Sequence, residues 1–195
     1  MYDADKMQAF LRGRLSRERY AHTMNVAKEC RRLAKLYGEN QEKAYFAGMV
    51  HDICKEDPKK QQYEWAVLSG MGFCEEEAAS WKVWHGVAGA YFLKESFGIN
   101  DKDILNAVRF HTIGRSGMSL LEKIVYLGDM TSEERDYSGV DIMRKACGQS
   151  LEKGMLYALR YSMRKQIKRC ALIPHFTLEA YNEYTRMFPD DTFHI

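Results

Sequence analysis

The chain has 195 residues, 46% of them hydrophobic and 29% charged, the mixture of a soluble globular domain rather than of a disordered or fibrous chain. Its 29 Lys and Arg against 27 Asp and Glu leave a net charge of +2, which argues against a nucleic-acid binder and against a membrane-surface protein, while local basic patches remain available for phosphates. The opening MYDADKMQAF has no basic region followed by an apolar run, and no stretch approaches the ~20 apolar residues of a spanning helix, so neither signal peptide nor membrane span is expected and the cytoplasm is the default location.

Only Pro58, Pro174 and Pro189 interrupt the chain, and apolar residues recur every three or four positions without sustained alternation, so helices are expected throughout. A short helix covers about 7–11. The next is capped by Ser16, with Arg19 where a capping box would have Glu, and runs to about residue 37, where Gly38 stops it. Its buried face carries Ala27, Cys30, Leu33, Ala34 and Tyr37. A third helix spans about 41–53, and its second half is apolar on all sides. Helices are expected at about 60–71, 75–81, 84–97 and 101–111, the last capped by Asp101 or Asn100. After Gly114 and Gly117, one follows at 119–130. Residues 139–169 hold one long helix or two, and 177–188 closes the chain. No linker, low-complexity segment or repeat interrupts this order, which reads as one all-α domain over residues 1–195.

Five cysteines, at 30, 54, 74, 147 and 170, form an odd count without C-x-x-C spacing. They read as free thiols filling a core in a reducing compartment. The aromatics Tyr20, Trp81, Trp84, Phe110, Phe176 and Tyr181 could stack on a base, but at helical spacing they read first as core. The basic run Arg160, Arg164, Lys165, Lys168 and Arg169 reads as a solvated helix face.

The chemistry gathers at helix ends. His51-Asp52 closes the buried third helix in AGMVHDICKE, His22 opens the second in RYAHTMNVA, His85 opens another in VWHGVAGA, His111 ends one in VRFHTIG, and Asp129 lies near the end of another in EKIVYLGDM. A buried carboxylate without partners costs several kcal/mol. Taken singly, each histidine is more often a core residue bonded to a backbone carbonyl. Together, four His and two Asp at helix ends fit the way helical bundles build metal sites from facing helices. Imidazole with carboxylate suits a divalent transition ion such as iron, manganese, cobalt or zinc, and no thiolate stands at ligand spacing.

The order His22, His51-Asp52, Asp129 resembles the H…HD…D signature of HD-domain phosphohydrolases. RYAHTMNVAKECRRLAKLYG, AGMVHDICKE, WHGVAGAYFLKESFGI, HTIGRSGMSLLEKIVYLGDMTSEER and IPHFTLEAYN, together reaching over residues 10–185, resemble one bacterial branch, the YqeK-type symmetrical diadenosine tetraphosphate hydrolases. The resemblance implies an HD-domain helical bundle with His22, His51, Asp52 and Asp129 as metal ligands and iron as the metal. It implies that His85, His111, Thr112 and Arg135 contact the nucleotide phosphates, or that His85 and His111 complete a second metal position bridged by Asp52. It implies that Ala171, Leu172, Ile173, Pro174, His175 and Phe176 pack on the nucleoside. Lys55 departs from the acidic residues that follow the HD pair in many alarmone hydrolases.

The implied reaction is symmetrical hydrolysis of diadenosine tetraphosphate to two ADP. The alternative is another HD-type activity: a nucleotidase, a triphosphohydrolase or a cyclic-nucleotide phosphodiesterase. A divalent ion lowers the pKa of bound water from 15.7 towards about 7. Arg135, Lys55 and Arg115 are the cations available to offset polyphosphate charge, with a solvated surface charge as the plainer reading of Arg115. Asp52, His85 and His111 are the candidate catalytic residues, either histidine being able to protonate a leaving phosphate if it is not a ligand. Exposed aromatics permit a homodimer without demanding one.

Overall fold

The computed structural model describes residues 3–190, and among these every regular element is an α-helix. In order they are α1 (Ala4–Arg14), α2 (Arg17–Tyr37), α3 (Gln41–Val50), α4 (Lys59–Leu68), α5 (Glu75–Ala78), α6 (Trp84–Phe97), α7 (Lys102–Phe110), α8 (Leu120–Thr131), α9 (Val140–Gln149), α10 (Leu151–Lys168) and α11 (His175–Met187). No helix among the described residues is long and apolar enough to cross a membrane.

The starts follow side-chain chemistry. Asp3, Ser16, Asn40, Asp101, Ser119 and Ser150 each accept a backbone N–H of the first turn they precede. Ser119 and Glu122 close a reciprocal capping box at α8. Gly38 and Gly98, in left-handed conformation, end α2 and α6.

Helix α2 runs between α3 and α8, and α7 also lies against α3 and α8. The close approach is made at Cys30. A Cβ on Gly48 of α3 would lie 2.7 Å from its Sγ, and one on Gly128 of α8 would lie 2.5 Å from it, so only glycine lets these three backbones meet. The arrangement sets up the site. His22, Val26 and Cys30 fall on one face of α2 at four-residue spacing. His51 follows the end of α3, and Asp129 follows Gly128. The core runs from Met7 and Leu11 through Val26, Met49 and Leu121 to Leu156 and Tyr184, and a smaller cluster gathers Val83, Phe110 and Ile113.

Several expected boundaries shift. The first helix is longer than 7–11 because Asp3 accepts the Lys6 N–H and starts it early. The third stops at Val50 and gives way to turns closed by Ile53 N–H to Val50 O and Lys55 N–H to Asp52 O, so His51 and Asp52 stand on tightened backbone rather than in an α-helix. The 75–81 helix is a single turn. Residues 139–169 form two helices, broken at Ser150, whose extended backbone ends one and whose hydroxyl caps the next. The last helix begins at His175, behind Pro174. Among the aromatics, Phe110 is core and Tyr20, Trp84, Phe176 and Tyr181 are half-buried. Trp81 is not core: it is 53% exposed, with the Lys59 ammonium 4.8 Å from its ring centroid. The cysteines are free, with Cys30, Cys54 and Cys147 buried, Cys74 half-buried and Cys170 exposed.

Candidate metal centre

Three of the four histidines enter the centre with their Nδ1 atoms already held. At the C-terminal ends of α3 and α7, carbonyls lack intrahelical partners. His51 Nδ1–H donates to Gly48 O at 2.6 Å and His111 Nδ1–H to Val108 O at 2.7 Å, each three residues back. His22 Nδ1–H donates to Glu134 Oε1 at 2.5 Å. A histidine bonded at Nδ1 presents Nε2 and its lone pair to the other side. His85, in the first turn of α6, is also buried and turns Nε2 to the same point.

That point is Asp52. Its Oδ2 lies 3.6 Å from His51 Nε2 and 3.9 Å from His22 Nε2. Its Oδ1 lies 3.1 Å from His85 Nε2 and 3.5 Å from His111 Nε2. Asp129 Oδ1 completes the first half, 3.1 Å from His22 Nε2 and 3.8 Å from His51 Nε2. The ligand atoms of His22, His51 and Asp129 lie within 4.8 Å of one another, as do those of His51, Asp52 and His111.

The residues fit a cation. His51 Nε2 and Asp52 Oδ1 are buried and make no hydrogen bond of good geometry, a cost of about 1–3 kcal/mol for each group left in this way. His85 and His111 point Nε2 at Nε2 across 3.1 Å, and His111, whose Nδ1 proton goes to Val108 O, presents there a lone pair suited to a donor or a cation. Nitrogen and carboxylate oxygen without sulfur is the donor set of a divalent transition ion.

Electrostatics favours the metal-binding forms of His51, His85, Asp52 and Asp129, but not of His22. Burial pushes His51 down to about 4, against the pull of Asp52 and Asp129, and pushes His85 down to about 3 with help from Lys55, so both imidazoles are neutral at pH 7. Burial alone would raise Asp52, but His51, Lys55, His111 and His85 outweigh it and hold the carboxyl well below the usual range. Asp129 is held down in the same way by His22, Arg135 and His51. For His22, burial is outweighed by Asp129 and Glu134, and its pKa rises.

The expected cations fall in different places. Arg135 hydrogen-bonds both the carboxylate and, at 2.7 Å, the carbonyl of Asp129. Lys55 Nζ lies 3.0 Å from His85 Nε2 and 3.7 Å from Asp52 Oδ1. Arg115 instead forms a two-bond pair with buried Glu122, at 2.7 and 2.6 Å. Thr112, beside His111, has a buried Oγ1 without a partner. The 171–176 segment joins α10 to α11. Phe176 meets Phe110 edge-on at 5.5 Å, His175 lies 3.4 Å from Glu76, Pro174 is buried and Leu172 is 59% exposed.

Two residues escaped the sequence reading. Arg19 Nη1 donates to Asp52 Oδ2 at 2.8 Å, and Glu134 holds His22. The signal for Arg19 was its place three residues before His22 on one helix face. Glu134 lies far from His22 in sequence, and only tertiary packing joins them. A cavity of about 480 Å³ opens beside His22, walled by Arg19, Arg135, Tyr137, Tyr161 and Lys165 among others.

Comparison with known proteins extends the geometry. The HD domain family matches residues 19–134. A symmetrical bis(5'-nucleosyl)-tetraphosphatase from Halalkalibacterium halodurans is 35% identical over 87% of this chain and 90% of its own, and one from Bacillus subtilis is 32% identical over 89% and 93%. A Clostridium acetobutylicum crystal structure, described as a predicted HD superfamily hydrolase involved in NAD metabolism, superposes with a TM-score of 0.90 at 37% identity, over 96% of this chain and 99% of that one.

Proposed function

The chain belongs to the HD-domain family of hydrolases, and from that premise we propose that it is a metal-dependent enzyme cutting diadenosine tetraphosphate at its central anhydride to give two ADP. The observation that carries this reading is Asp52, buried, with one oxygen toward His22 and His51 and the other toward His85 and His111. Its relatives named as symmetrical tetraphosphatases supply the substrate class.

His22, His51, Asp52 and Asp129 would hold the first ion, and His85 and His111, with Asp52, would hold a second. Iron is the metal proposed, with manganese, cobalt and zinc suited to the same donors. A divalent cation there supplies Lewis acidity and brings the pKa of a water beside it towards about 7. The protein's own groups do the rest. Asp52 and Asp129, ionised, orient the water and keep it near the phosphorus. Arg135, Arg19 and Lys55 line the path of the phosphates and offset their charge. The water oxygen loses a proton to bulk solvent and bonds to one of the two central phosphorus atoms, the bond from that atom to the bridging oxygen breaks, and the departing ADP leaves as an anion that keeps the bridging oxygen. His85, neutral through burial and Lys55, is suited to donate a lone pair rather than a proton, which favours the ligand role over the acid role for it. The 171–176 segment, with Phe176 on Phe110, is proposed as the seat of one nucleoside.

Chromatography of the products of diadenosine tetraphosphate tests this. ADP as sole nucleotide product is expected. A mixture of AMP and ATP contradicts central cleavage, and a monophosphate as main product points to another HD-type nucleotidase.

A further inference from the structure

We propose that the cavity beside His22 is a second nucleoside subsite, built to stack the base of the departing half of a dinucleoside polyphosphate. The inference rests on the reading of the substrate given above. A symmetrical dinucleotide carries a nucleoside on each side of the scissile bond. If one half lies toward the 171–176 segment, the other must leave the cluster by a different opening.

The cavity has the required chemistry. It measures about 480 Å³, ample for a nucleoside, and opens directly on His22. Nearest the cluster stand two guanidinium groups. Arg19 holds Asp52 through Nη1 at 2.8 Å while its buried Nε has no hydrogen-bond partner, and Arg135 is bonded to Asp129. These are groups for phosphate oxygens. The same wall carries an aromatic pair. The rings of Tyr137 and Tyr161 have centroids 4.7 Å apart at an interplanar angle of 32°, Tyr137 is anchored by its hydroxyl to Met130 O at 2.8 Å, and Lys165 Nζ sits 5.2 Å from the Tyr161 centroid. Four acids also line the wall: Glu134 is engaged with His22 and Glu56 with Ser16, while Glu18 and Asp136 are exposed to solvent. Cations and a braced aromatic pair on one wall match the phosphates and base of a nucleotide. Stacking also tolerates any base, since each presents a π-face.

The test compares kcat/KM for diadenosine tetraphosphate with that for adenosine 5'-tetraphosphate, which has the same four phosphates and one nucleoside. Binding of a methylene-bridged, uncleavable diadenosine analogue is measured alongside by calorimetry. The wild type is expected to favour the dinucleoside. Tyr161→Ala is expected to cut that preference about tenfold and to weaken analogue binding by a similar factor. Tyr161→Leu, which keeps apolar packing against Tyr137, is expected to do the same. Equal losses on both substrates in the two variants would assign Tyr161 a structural role and overturn the subsite. An unchanged preference, with wild-type turnover of the dinucleoside intact, overturns the subsite alone. A wild type that cleaves neither substrate overturns the functional reading and the subsite with it.

Discussion

Glu134 accepts the Nδ1 proton of His22 at 2.5 Å, and Ser132 Oγ donates to the same carboxylate oxygen at 2.9 Å. Glu134 thus stands one shell behind the proposed ion, fixing the ring orientation and tautomer of His22. Outer carboxylates of this kind typically govern metal affinity by 10–100-fold. Glu134→Ala is expected to weaken metal binding by about that factor, with Glu134→Gln recovering part of it by keeping an acceptor. Titration of metal-free protein with the ion reads both. Affinity unchanged in Glu134→Ala would remove Glu134 from the site.

The two buried imidazoles set the acid stability of the metal-free protein. His51 and His85 titrate near 4 and near 3 in the fold, against an ordinary value near 6.5, because burial disfavours their charged forms. Between pH 6.5 and 4 the unfolded chain takes up these protons and the folded chain does not. Stability therefore falls as pH falls through this window, by about 1.4 kcal/mol per pH unit for each histidine. His22, with a raised pKa, is protonated in both states there and adds no slope. Asp52 and Asp129, held low, add their own loss only below about pH 4. Urea unfolding of stripped protein at pH 4.5, 5.5 and 6.5 should show this fall, and His51→Gln should flatten it.

Arg109 and Glu77, both fully buried, form a two-bond ion pair at 2.7 and 2.6 Å. The pair ties α7, which ends beside His111, to α5, the turn that precedes the helix carrying His85. Arg109 lies two residues before His111, while Glu77 O accepts the indole N–H of Trp84, the neighbour of His85. Removing one partner leaves a buried charge uncompensated. Arg109→Met is expected to cost about 3–5 kcal/mol in urea unfolding, and the double variant with Glu77→Leu to recover most of it. A small effect of Arg109→Met would mean that water or backbone takes over the pairing of Glu77.

The sequence announced the helices and the centre for physical reasons, and it was silent elsewhere for others. Ser16, Gly38, Gly98 and Asp101 mark helix ends by local chemistry, so those boundaries were legible. Ser150 can stand inside a helix or cap one, and only the fold shows that it breaks α9 from α10. His22, His51, Asp52, His85, His111 and Asp129 were legible as one group because titratable residues at buried helix ends are costly unless they share a partner. Arg19 was visible only as a poor capping-box residue, and Glu134 as a loop acid, since their importance lies in contacts 33 and 112 residues away in sequence. Arg115 stood in the same loop as residues of the site, yet Glu122, already placed by its capping box, claims its guanidinium.

The central claim is that His22, His51, Asp52 and Asp129 meet on one cation. Metal analysis of anaerobically purified protein, wild type beside Asp52→Asn, tests it most directly. At least one equivalent of a divalent transition metal in the wild type is predicted, with iron foremost, and its loss in Asp52→Asn with helicity by circular dichroism retained. Wild-type protein that carries no such metal and binds none on titration would contradict the account.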